Sequence, residues 1–100
     1  MIKVSCSSQS IKISGHAFAG SPGNDLVCAA VSAIVIGSIH ALESFTKKEI
    51  KVADGYVEIN INHVLTYEDK IRLNMLITMI KTIAEQYPQN IFIEKMYNLI

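Results

Sequence analysis

The stretch Glu49-Ile50-Lys51-Val52-Ala53-Asp54-Gly55-Tyr56-Val57-Glu58-Ile59-Asn60-Ile61 decides the fold. Ile50 and Val52 alternate with Glu49, Lys51 and Ala53, and Val57, Ile59 and Ile61 alternate with Tyr56, Glu58 and Asn60. A period of two marks a strand with one face buried. Asp54-Gly55 between the two runs is a strong two-residue hairpin signal, because the tight turns that suit twisted strands need residues that accept positive φ. The apolar face of such a hairpin needs a covering layer.

Toward the N-terminus the alternation recurs twice. Ile2, Val4 and Cys6 alternate with Lys3 and Ser5; Ser7-Ser8-Gln9-Ser10 reads as a turn; Ile11 and Ile13 alternate with Lys12 and Ser14 up to Gly15-His16. These runs make a second hairpin. Between the hairpins, Leu26 to about Leu42 reads as a helix capped by Asn24 or Asp25. It is apolar almost all round, so burial on most of its faces is expected. Toward the C-terminus, Thr66 and Asp69 resemble a capping box with Asp in place of Glu. A second helix follows, with Ile71, Met75, Met79 and Ile83 beside Leu76, Ile80, Ala84 and Tyr87 as its apolar stripe, and Pro88 stops it. Residues 91–97 form a last strand. The order is ββαββαβ and the fold class is α+β: one domain over residues 1–100, with two helices packed on a mixed or antiparallel sheet.

Half of the 100 residues are apolar and 18% are charged, which suits a folded core. Nine basic and nine acidic residues cancel, and no run of Lys or Arg makes the patch that phosphate binding needs, so direct nucleic-acid binding is not expected. Zero net charge with this apolar content favours a surface covered by a second copy, a homodimer. No apolar signal-peptide core follows Met1, and the nearly apolar stretch from Leu26 to Ile39 falls short of the roughly 20 residues of a membrane span. A cytoplasmic protein with free thiols at Cys6 and Cys28 is expected.

Cys28 falls in the first turn of the first helix, where unsatisfied N–H groups and the helix dipole stabilise a thiolate. Asp25, Cys28 and Ser32 are spaced to share one helix face, a polar stripe on an apolar cylinder. His16 ends the preceding strand, and the Gly-rich segment between it and the helix is long enough for the ring to approach the sulfur. A thiol, a base within reach and an orienting group form an activated nucleophile, and the backbone N–H groups of Val27, Cys28 or Ala29 are candidates for an oxyanion hole. The plain readings stand beside these: a buried cysteine is ordinarily an inert small hydrophobe, and Asp25 serves equally as a cap.

Gly15-His16-Ala17 followed by Asp25-Leu26-Val27-Cys28-Ala29-Ala30-Val31-Ser32-Ala33 resembles the signature of the ribosomal-processing cysteine proteases called Prp, and Gly37-Ser38, Thr82-Ile83, Glu85, Tyr87, Asn90 and Ile91 extend the likeness over most of the chain. The resemblance implies a dyad endopeptidase that removes a short N-terminal extension from the large-subunit ribosomal protein twenty-seven. It makes His16 and Cys28 catalytic and Gly15, Asp25 and Ser32 supporting, with Phe18, Ala19, Gly20, Ser21, Pro22, Gly23 and Asn24 as a substrate loop and a homodimer as the assembly. The competing reading is a non-catalytic ribosome-associated module in which His16 and Cys28 only pack. Cys6 belongs with the core-facing Ile2 and Val4; His40 near a helix end and His63 in a loop have no partner at metal-ligand spacing, so neither metal nor cofactor is expected.

Overall fold

The computed structural model describes residues 1–16 and 25–96. Among them are five strands and two helices: β1 Ile2–Cys6, β2 Ser10–Ser14, α1 Leu26–Ala41, β3 Ile50–Ala53, β4 Tyr56–Asn60, α2 Tyr67–Gln86 and β5 Ile91–Lys95. The order is the expected ββαββαβ. The strands form one mixed sheet, β3-β4-β2-β1-β5, in which β1 and β5 are parallel and the other neighbours antiparallel. A register shift between Val4 and Ser5 marks a bulge beside β5, where Ser5 pairs with Lys95. The last strand runs from Ile91 to Lys95 and leaves out Met96, while the expected final residue, 97, lies outside the described residues.

Each period-two run turns its apolar side toward the helices. Ile2, Val4, Cys6, Ile11, Ile13, Ile59 and Ile91 from the sheet meet Val27, Val31, Val35, Leu73, Leu76, Ile77 and Ile80 from the helices in one buried cluster. At roughly 25 cal/mol for each Å² of apolar surface removed from water, this cluster is the main favourable term in the fold. Ser7 closes the first hairpin by accepting from Gln9 N and Ser10 N at 3.2 and 3.1 Å, a side-chain turn that competes well with backbone pairing.

Both helices depart from their expected faces. α1 buries only Val27, Val31 and Val35, one residue per turn, while Leu26 is 77% exposed. Uniform hydrophobicity carries no direction, so the sheet contact selects one row and leaves Ala29, Ala33 and Gly37 outward. In α2 the buried row is Leu73, Leu76, Ile77 and Ile80, the i, i+3, i+4, i+7 set. Ile71 and Met75 from the expected stripe face out instead.

Thr66 caps α2 by accepting from Asp69 N at 3.1 Å. The other half of the expected capping box is not made, because the Asp69 carboxylate is used elsewhere. It is fully buried and accepts from Glu43 N at 3.2 Å, Ser44 N at 2.9 Å, Arg72 Nη1 at 2.7 Å and the Ser44 hydroxyl. Burial pushes this carboxyl up, but the Ser44 and Arg72 bonds and the two N–H groups outweigh it and hold it at about 2. Ser44 Oγ also lies 3.0 Å from His63 Nε2, whose Nδ1 is 2.7 Å from Glu49 Oε2. Thr46 N and its hydroxyl donate to Glu49 as well, and the Thr46 amide is the foremost cause that holds the Glu49 carboxyl below its ordinary value. This chain of polar contacts ties the α1–β3 connection to the start of α2.

Candidate active site

Strand β2 delivers His16 and the start of α1 delivers Cys28. Gly15, just past β2, has φ +96°, a conformation open to glycine and strained for most other residues. A Cβ there would also lie 2.3 Å from the Met1 carbonyl oxygen. Asp25 is the N-cap of α1, with φ −82° and ψ 100°, and its carboxylate accepts from Cys28 N at 3.0 Å. Cys28 is thereby fixed at the third helical position, half-buried against the core. Cys6, by contrast, is fully buried in the core, as its alternation with Ile2 and Val4 implies.

Gly15, His16, Cys28 and Ser32 line one cavity of about 210 Å³ between α1 and the β2, β4 and β3 side of the sheet. Its walls are largely apolar, with Ile13, Val31, Val35, Val52 and Val57 among them. Val52 is 56% exposed although it lies on the core-facing side of β3, because the cavity opens over it. Asp25 is not part of the wall; it acts on Cys28 through the backbone. Residues 18–24, the expected substrate loop, lie outside the described residues.

The helix start does not offer every N–H that the spacing suggested. Cys28 N is bonded to the Asp25 carboxylate and Ala29 N to the Asp25 carbonyl at 3.0 Å. Neither is an oxyanion donor in this conformation, because the cap has already satisfied both.

The cavity also has residues that lie outside the sequence motif. Ala53, Asp54, Gly55 and Tyr56, the turn between β3 and β4, form the wall facing α1. Gly15 N donates to Gly55 O at 2.8 Å, so this turn is stitched to the residue before His16. The Asp-Gly signal locates the turn in the chain, but only the pairing of β4 with β2 brings it to the histidine. The Tyr56 hydroxyl donates to Glu58, which also accepts from Asn60 Nδ2 at 2.6 Å. The bond to Glu58 pushes the Tyr56 phenol up, and the same bond, first among its causes, holds the Glu58 carboxyl down.

Among the described residues no three His, Cys, Asp or Glu side chains converge as metal ligands, and no helix is long and apolar enough to cross a membrane. A half-buried thiol at a helix start and a histidine thus line one small, largely apolar cavity, and a thiol with a base nearby is the pairing that nucleophilic attack on a carbonyl uses.

The known proteins that this chain is similar to are named as cysteine proteases. The sequence model of the family described as cysteine protease Prp matches residues 1–92. The ribosomal processing cysteine protease Prp of Mycoplasma pneumoniae is 36% identical over 97 residues, covering 94% of each chain. That of Staphylococcus aureus is 35% identical over 81 residues, covering 77% of this chain and 76% of the relative. Among solved structures, the essential ribosomal processing protease Prp of S. aureus with a covalently linked product peptide superposes with a TM-score of 0.83 at 29% identity, covering 96% of this chain and all of that one. The same protein with a substrate peptide gives 0.74 at 26% identity, covering 95% of this chain and 97% of that one. With its two helices on a five-stranded mixed sheet and a family match over nearly its whole length, the chain belongs to the Prp family of ribosomal-processing cysteine proteases.

Proposed function

We propose that Cys28 is the nucleophile and His16 the general base of an endopeptidase that removes the N-terminal extension of the large-subunit ribosomal protein twenty-seven. The observation that carries this reading is that the two side chains line the same small cavity. His16 takes the thiol proton, and the Cys28 sulfur attacks the peptide carbonyl. The tetrahedral intermediate collapses as the peptide C–N bond breaks, and His16 passes the proton to the leaving amine. A water molecule, deprotonated by His16, then attacks the thioester; the carboxylic product leaves and the proton returns to the thiol. Asp25 holds the helix start that presents Cys28, and Ser32 lines the same cavity one turn on. Phe18 to Asn24, between the two catalytic positions, is the proposed substrate loop.

The substrate class rests on the relatives named for ribosomal processing and on the S. aureus complexes with peptides. The cytoplasm is the compartment where such a substrate is met, and the reading needs no cofactor, membrane or direct nucleic-acid contact. Association of two copies is part of it. Support comes from a groove of about 390 Å³ outside α1 and α2, where Ala33, Gly37, Ala41, Met75 and Met79 present small and apolar side chains.

The deciding experiment incubates wild type and Cys28→Ala with the unprocessed ribosomal protein of the same organism and weighs the products. Wild type is expected to release the extension and Cys28→Ala to leave it in place with an unchanged circular dichroism spectrum. Intact substrate with wild type overturns the function; cleavage by Cys28→Ala overturns the nucleophile. Sedimentation of the same samples reads the dimer.

A further inference from the structure

Two separate features of the β3–β4 turn converge on the imidazole. The first is conformational: Gly55 has φ +68° and accepts the hydrogen bond from Gly15 N. A positive φ accounts for Gly at this place, but Asn or Asp accept it too. The second is contact. A Cβ on Gly55 would lie 2.8 Å from His16 Nε2, 3.4 Å from Cδ2 and 3.5 Å from Cε1. The space that a side chain would fill is already occupied by the ring of His16.

We propose that Gly55 is a positioning residue for His16, its bare Cα serving as the seat on which the imidazole rests within reach of Cys28. The inference rests on the reading of His16 as the base. A general base must stand within about 2.6–3.2 Å of the proton that it takes. Relieving a 2.8 Å contact moves the ring by up to about 1 Å, and displacements of that size can cost on the order of a hundredfold in rate. The Gly15–Gly55 bond keeps the seat in step with the strand that carries His16, so the hairpin and the histidine move as one piece.

The test uses Gly55→Asn, which retains the turn because Asn accepts positive φ, yet puts a Cβ against the ring. The readout is alkylation of Cys28 by iodoacetamide, located by peptide mapping, between pH 5 and pH 8, with a thermal melt of each variant. His16→Ala is expected to change the pH profile, which tests the dyad. Gly55→Asn is expected to follow His16→Ala, with at least a tenfold change in alkylation rate near pH 6 and a melting temperature within a few degrees of wild type. A wild-type profile for Gly55→Asn beside an altered one for His16→Ala overturns the seat and leaves the dyad standing. Wild-type profiles for both overturn the dyad, and the seat with it. Should Gly55→Asn not fold, the wild-type protein decides: nuclear Overhauser contacts between the Gly55 α-protons and the His16 ring protons are expected, and their absence overturns the proposal.

Discussion

Replacing Asp69 by Asn tests whether the buried carboxylate holds the α1–β3 connection to α2. Holding this carboxyl at about 2 against an ordinary 3.8 corresponds, at about 1.4 kcal/mol for each tenfold step in acidity, to about 2 kcal/mol of charge-dependent stability. The Asn amide would add a mismatch, since its NH₂ must face either Ser44 N or Glu43 N and Arg72, groups that only donate. One such mismatch adds about 1 kcal/mol. The sum, about 3 kcal/mol, is a large fraction of the roughly 5–15 kcal/mol that stabilises a domain. Urea unfolding at pH 7, followed by circular dichroism, is expected to show a midpoint lower by about 2 M at a slope of roughly 1.5 kcal/mol/M. Because the folded carboxyl titrates below the unfolded one, its contribution is present above pH 3.8 and is lost as pH falls toward 2. The gap between wild type and variant is therefore expected to shrink to about 1 kcal/mol over that window. A gap under 1 kcal/mol at pH 7, or one that stays constant in acid, would mean that the Asp69 charge does not hold this connection.

Asp25→Ala removes the acceptor of Cys28 N and is expected to lower stability by about 1 kcal/mol, with Asp25→Asn restoring most of it; matching thermal melts for all three proteins would contradict the cap. Leu73→Ala empties a site with 0% exposure between α2 and the sheet and is expected to cost about 2–5 kcal/mol in chemical denaturation. A loss below 1 kcal/mol there would mean that α2 packs elsewhere.

Strands β1 to β4 were legible because apolar and polar residues alternate in them, from Ile2-Lys3-Val4 to Val57-Glu58-Ile59, whereas β5 opens on the unbroken apolar run Ile91-Phe92-Ile93. Period two states both the element and the buried face. The helices were legible as elements but not in their facing. α1 has apolar residues on every side, so nothing local says that Val27, Val31 and Val35 go in; in α2, Met75 and Leu76 look alike as apolar residues and only the sheet separates them. The pair His16 and Cys28 could be read from a helix start, a strand end and the family motif. Their wall of Asp54 and Gly55 could not, because it depends on strand order, a long-range property. The buried role of Asp69 was hidden for the same reason: Thr66 and Asp69 carry a local cap signal, whereas the two backbone N–H groups that claim the carboxylate sit 25 and 26 residues away.

The parallel pairing of β1 with β5 has a mechanical consequence. Ile2 lies opposite Ile91, and Ser5 opposite Lys95, so tension applied between residues 1 and 96 pulls these two strands past one another along their length. Their hydrogen bonds are then loaded together in shear instead of parting one at a time like a zipper. A machine that unfolds this chain by pulling it taut from both ends meets its stiffest resistance first, while one that tugs on the β3 edge peels the sheet strand by strand.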